Sequence, residues 1–139
     1  MSFGVSISDL IQVGNLSWNL YRGCRDSSDE FKRICQEVAA LHVVVKETEE
    51  QFAESRGLSP TRDHRLGVLL EGTNDVLQDL KKLLDSYESL GTQAQRTWDR
   101  MRWGLEDLAD VRNRLISNTT LITAFNSALA RFATYLIRC

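Results

Sequence analysis

An all-α fold, an antiparallel helical bundle of four long helices plus one short helix, is predicted by three features of this 139-residue chain. Proline occurs once and glycine eight times, so the chain carries few breakers. Apolar residues recur at alternating spacings of three and four over long stretches, the period of a helix face or heptad seam. Capping sequences and glycine or proline stops separate those stretches. The length suits a single domain spanning residues 1–139, which closes one core without disulfides or metal.

The first two dozen residues organise the rest. Only Asp9 and Arg22 are charged between Met1 and Cys24. Ser6-Ile-Ser-Asp9 has the spacing of a capping box, so a first helix is predicted from about Ile7 to Arg22, with Gly23 as a left-handed stop. On that helix Ser8, Gln12, Asn15, Asn19 and Arg22 form one narrow polar stripe. Phe3, Val5, Ile7, Leu10, Ile11, Val13, Leu16, Trp18 and Leu20 supply the apolar remainder. So wide an apolar arc suits either the interior of a bundle or a lipid interface. Asp9 weighs on the choice, because a carboxylate is stabilising at a helix N-terminus and costly near a bilayer centre.

Ser27-Ser-Asp-Glu30 reads as a second capping box, and a tight helix-to-helix corner follows from it. Phe31, Ile34, Val38, Leu41, Val45, Thr48 and Phe52 then mark a second helix lasting to about Arg56. Gly57-Leu-Ser-Pro60 ends it. A third helix runs through Leu66, Leu69, Thr73, Val76, Leu80, Leu83, Tyr87 and Leu90, widened by Leu70, Leu77 and Leu84, and Gly91 closes it. Joined by a short loop, the second and third helices are expected to pair as an antiparallel hairpin. Gly67 and Gly72 inside the third helix point to close approach by a neighbour. Thr92-Gln-Ala-Gln95 opens a short helix that Gly104 interrupts, and the last helix runs from about Leu105 through Leu108, Val111, Leu115, Thr119, Ile122, Phe125, Leu129, Phe132 and Leu136. The chain stops in mid-pattern at Cys139, so a longer native protein is expected, with this domain at its N-terminus.

A formal charge of −2 gives no overall attraction to nucleic acid or anionic lipid, and nucleic acid is not an expected partner. The three cysteines, Cys24, Cys35 and Cys139, show no C-x-x-C spacing and read as reduced core thiols. No basic region precedes the first apolar run, which excludes a secretory signal, and Asp9, Gln12, Asn15 and Asn19 interrupt any constitutive span. A cytoplasmic protein is therefore expected. His42 and His64 lack partners at metal-ligand spacing, and neither nucleotide-binding glycine patterns nor a nucleophile elbow occurs. Neither an enzyme, nor a metal site, nor a cofactor is expected. The arginines from Arg96 to Arg114 alternate with Asp99, Glu106, Asp107 and Asp110 and read as a self-paired surface, with Trp98 and Trp103 as possible interfacial residues.

Several of these segments together resemble the N-terminal helical domains of fungal NLR-type (STAND) receptors, the HeLo and HeLo-like group. They are Ser2-Phe-Gly-Val-Ser-Ile-Ser-Asp-Leu-Ile, Trp18-Asn-Leu-Tyr-Arg, Glu30-Phe31 ahead of Glu37-Val-Ala-Ala-Leu-His, and Trp103 ahead of Asp107-Leu-Ala-Asp-Val-Arg-Asn-Arg-Leu115. The group is similar to the four-helix bundle of the mixed-lineage kinase domain-like pseudokinase and to the coiled-coil domains of plant NLR proteins. The resemblance implies a non-enzymatic cell-death effector in immunity or incompatibility, preceding nucleotide-binding and repeat domains. It implies self-association on activation, recruitment to the plasma membrane and permeabilisation of lipid by the first helix, a role matched here only by Phe3 to Tyr21. The polybasic patches of some relatives have no counterpart in this helix. The reading from a different class is a helical adaptor that docks partner helices and leaves membranes alone.

Overall fold

A computed structural model describes residues 4–54, 58–89 and 102–138, except for the side chains of 102–106, 133 and 136–138. The described residues are all-helical, in four helices packed together: α1 (Ile7–Arg25), α2 (Asp29–Glu54), α3 (Pro60–Glu88) and α4 (Arg102–Arg138). The predicted short helix, with Gly91, Thr92 to Gln95 and Trp98, lies outside the described residues. Its supposed stop, Gly104, sits inside α4, which begins at Arg102. One glycine costs only about 1 kcal/mol, too little to break so long a helix.

Local chemistry sets the helix ends. The Ser6 hydroxyl accepts from the Asp9 N–H at 3.3 Å while the Asp9 carboxylate accepts from the Ser6 N–H at 2.8 Å, completing the expected box at the start of α1. Gly23 does not end α1, which continues to Arg25. A Cβ at Gly23 would lie 2.7 Å from Leu84 Cδ2, so the missing side chain serves close packing of α1 on α3. The predicted box at α2 is not made by serine, since the Ser27 and Ser28 hydroxyls have no hydrogen-bond partner. Instead the Ser28 carbonyl accepts from Lys32 at 2.9 Å. Pro60 is the first residue of α3, where its missing N–H costs nothing, and Ser59 caps it.

The packing corrects the expected hairpin. α1 packs on α2 and α3, and α4 packs on the same two helices, which leaves α2 and α3 at opposite corners. Cross-helix bonds give the directions. Val5 N–H donates to Asp63 at one end and Gly23 meets Leu84 at the other, so α1 and α3 run parallel. Arg112 pairs with Glu37 at 2.8 Å and Thr48 bonds Asn126 at 2.7 Å, so α2 and α4 also run parallel. Ser17 lies against His42 and Tyr21 against Cys35, while Asp79 meets Arg114 and Arg62 meets Phe132, so α1–α2 and α3–α4 are antiparallel. The second and third helices do run in opposite directions, but across the diagonal. Leu66, Leu70, Val76, Leu77, Leu80 and Leu84 of α3 cover an arc wide enough for two neighbours, and α1 and α4 take those places.

The α2 seam is buried from Phe31 through Thr48, with Phe52 packed at its edge. In α4 the seam holds at Ile122 and Leu129 but departs from expectation at Phe125 and Phe132. Asn126 is buried, Phe125 only partly so, and Phe132 is 43% exposed beneath the Arg62 guanidinium. Asn126 wins the inward position because α2 offers it partners: its amide donates to the Val44 carbonyl at 3.1 Å and its oxygen accepts from Thr48. Gly72 admits the Asn118 side chain at 3.4 Å, the close approach anticipated for that glycine. Replacing Asn126 by Ala removes both inter-helix bonds and leaves a void, although the Thr48 hydroxyl still donates to the Val44 carbonyl at 2.8 Å. Urea denaturation is expected to show a loss of about 1–3 kcal/mol, whereas Ala at exposed Ser127 should change stability by under about 0.5 kcal/mol.

Candidate functional site: the two apolar arcs of the first helix

At about 100° per residue, α1 presents three stripes. The first is buried and contains Leu10, Val13, Gly14, Ser17, Leu20 and Cys24. Val5, Leu16 and Tyr21 pack at its margins. The second is the polar stripe of Ser8, Gln12, Asn15, Asn19 and Arg22, exposed as expected. Between them, on the side toward α2, lies a third stripe that is apolar yet outside the core: Ile7 is 37% exposed, Ile11 40% and Trp18 44%. The structure thus divides the apolar arc anticipated from sequence. Leu10, Val13 and Leu20 belong to the bundle core, Ile7, Ile11 and Trp18 to the surface, and Val5 and Leu16 to the boundary. Phe3 and Trp98 lie outside the described residues; Trp103 falls in α4, its side chain not described.

The third stripe stays outside because α1 meets α2 through small and polar groups. Gly14 places the Val45 and Lys46 side chains at ordinary contact distance from where a Cβ would be, 3.8 and 3.5 Å. Beside it the Ser17 hydroxyl donates to the Gly14 carbonyl at 2.8 Å, and His42 Nδ1 lies 3.1 Å from that carbonyl and 2.9 Å from the hydroxyl. A carbonyl only accepts, so the proton sits on Nδ1, which donates into this pair. The Trp18 ring packs 5.3 Å from His42 and 5.4 Å from Tyr21 and remains partly open to solvent. Gly14, Ser17 and His42 carry no heptad signal, and so small a contact was hidden from a search for apolar periodicity. Asp9 is exposed and committed to its capping box, the role a carboxylate has at a helix N-terminus.

No known family profile, curated protein or solved structure matches the chain. The site is therefore read from its own residues. No described helix is long and apolar enough to cross a membrane. What α1 offers instead is an amphipathic surface of the interfacial kind, at ~1.5 Å per residue about 28 Å long.

A second feature escaped the sequence pattern. On the opposite side of the bundle, between α3 and α4, a groove of about 550 Å³ is lined by Arg62, His64, Arg65, Val68, Leu69, Leu121, Ala124, Phe125 and Ala128. Val68 and Leu121 are more than half exposed on it. The doublet Leu121-Ile122 was the available signal, since one helix face cannot bury both.

Near the C-terminal end of α1 the thiols are buried as expected. Burial pushes Cys24 up to about 12, with the charges of Cys35 and Glu88 adding to it. Cys35 moves in the same direction, chiefly by burial, and donates to the Tyr21 carbonyl at 3.5 Å. A thiol raised on folding binds its proton more tightly in the native state. Its contribution is intact below the unfolded value of 9.0 and fades as pH climbs toward about 12. Stability measured by denaturant should therefore fall between those pH values, and Cys24→Ala, though less stable at neutral pH, should show a shallower decline.

Proposed function

We propose that this domain is a non-enzymatic effector that self-associates and engages membranes through α1, targeting or permeabilising them, in the manner of the fungal NLR N-terminal domains it resembles. The observation that carries the reading is the apolar stripe of Ile7, Ile11 and Trp18, exposed on the same helix whose other arc is core. Scattered surface apolar residues are ordinary, but three on one stripe of an N-terminal helix form a coherent surface. At rest the buried arc holds α1 in place. Withdrawing Leu10, Val13, Leu20 and Cys24 into water would cost on the order of 8 kcal/mol as an upper estimate. A lipid interface offsets the α1 share of that cost, because it reburies those side chains and covers Ile7, Ile11 and Trp18 as well. An activating event that favours the released state then shifts the balance between the two. Crowding of copies by downstream nucleotide-binding and repeat domains is the proposed event, with recruitment from cytoplasm to plasma membrane as its outcome.

Leakage of dye from anionic and neutral vesicles tests the proposal. Because Leu10 is fully buried, a charge there would damage the fold itself. Ile7→Glu with Ile11→Glu is the cleaner change, both sites being exposed. The wild-type domain, artificially tethered into oligomers, is expected to release dye, and the double variant is expected to lose release while keeping its helicity by circular dichroism. Full release by the folded double variant would refute the role of α1. Intact vesicles with the tethered wild type would favour the adaptor reading instead.

A further inference from the structure

The charges along the first half of α3 are sorted between its two neighbours. Asp63 accepts from the Val5 N–H at 2.9 Å and Glu71 lines the cleft between α1 and α3, so both carboxylates turn toward α1. Arg62, His64 and Arg65 line the groove on the other side, toward α4. The α4 wall brings no negative charge, since the sequence from Val111 to Cys139 has no acidic residue. The lining therefore holds two guanidiniums, an imidazole and no carboxylate, in a chain whose formal charge is −2. Neither Arg62 nor Arg65 forms an ion pair among the described residues; Arg62 lies over the Phe132 ring instead, at 4.1 Å. It also stands in the first turn of α3, where the helix dipole works against a cation and for an incoming carboxylate.

Beside that basic end the groove is apolar. Arg62 meets Phe132 and Gly72 meets Asn118, so the two walls run antiparallel, with the guanidiniums toward the Ala128 end and Leu121 at the other. Arg62 to Leu69 on one wall and Leu121 to Ala128 on the other each cover about two helical turns, ~10 Å. Val68 and Leu121 are more than half exposed, while Leu69 and Phe125 pack against the core. Ala124 and Ala128, four residues apart, keep the α4 wall low enough for another backbone to come close. Such a groove fits a third helix laid between two others, with anchors at i, i+4 and i+7. Carboxylates one turn apart on that helix share the spacing of Arg62 and Arg65.

We infer that the α3–α4 groove receives an acidic amphipathic helix of another protein, its apolar side chains against Val68, Leu121 and Phe125 and its carboxylates against Arg62 and Arg65. Guanidiniums suit this role, being weakly hydrated and able to hold a carboxylate through two donors. The groove lies across the bundle from the α1–α2 edge. Its use neither draws on nor requires the membrane contact of α1.

Dye-labelled peptides of about 18 residues, long enough to be helical, test the inference by fluorescence anisotropy against the full chain. One carries leucines at i, i+4 and i+7 flanked by glutamates, and its copy has lysines in place of the glutamates. The acidic peptide is expected to bind at least about tenfold more tightly than the basic one, and less tightly at high salt. Arg65→Glu should weaken the acidic peptide at least about tenfold and favour the basic one, whereas Leu121→Gln should weaken the acidic peptide without favouring the other. Both sites are exposed, and unchanged helicity by circular dichroism identifies folded variants. Ile11→Glu, on the α1 stripe, should bind the acidic peptide like the wild type. Equal affinity for the two peptides, no binding up to submillimolar concentration, or an acidic peptide held as tightly by Arg65→Glu and Leu121→Gln as by the wild type would overturn the inference. Anionic vesicles that bind the wild type but not Arg65→Glu, with the acidic peptide left unbound, would give the groove to lipid and overturn it too. Dye release that depends on Ile7 and Ile11 is a separate readout, so the membrane reading stands or falls without this site.

Discussion

The structure depends on how α1 divides its apolar side chains. Leu10, Leu20 and Cys24 go into the centre, where they close the space left between α2 and α3 at opposite corners. Without α1 those two helices would share only α4, and the α1-facing part of the wide α3 seam would be open to water. The remaining apolar residues of α1 are left outside because Gly14 and Ser17 bring its backbone close to α2. A short-range contact of small and polar groups thus decides which apolar residues are core and which are surface.

α3 packs on α1 and α4 and α2 packs on the same two helices, so the parallel pairs α1–α3 and α2–α4 are neighbours. Directional bonds tie each pair at specific levels: Val5 to Asp63 joins the first turns of α1 and α3, and Asn126 to Thr48 and Val44 joins α4 to α2. The Arg112–Glu37 and Arg114–Asp79 pairs are partly exposed and add register more than stability.

The helical class, the first capping box and the seams of α2 and α3 were legible in the sequence because each is written in near-neighbour spacing. Which helices are neighbours was not, because a heptad seam says that a face is buried and not against what. Gly23 shows the limit well: the residue type fits a stop, and only Leu84, distant in sequence, reveals it as a packing position. Asn126 shows another, for a polar residue takes a core position only when partners on another helix await it. Of the α1 residues singled out from sequence, the pattern could not separate Leu10 from Ile11, since both lie within one wide arc. Their burial, 0% and 40%, is set by the helices alongside. The groove at Val68 and Leu121 was hidden for the same reason.

The central claim is that α1 exchanges burial in the bundle for burial in lipid. Cys24 is a reporter built into the buried arc, fully covered and with its thiol pushed up to about 12. In a Cys35→Ala, Cys139→Ser background, its alkylation should be timed with and without anionic vesicles, the domain being tethered into oligomers. If α1 leaves the bundle, Cys24 should be protected from alkylation in solution and modified at least about tenfold faster once vesicles are added and the thiol loses its packed neighbours. Equally slow modification on vesicles to which the domain is bound and which leak would show that α1 stays packed, and would contradict the account.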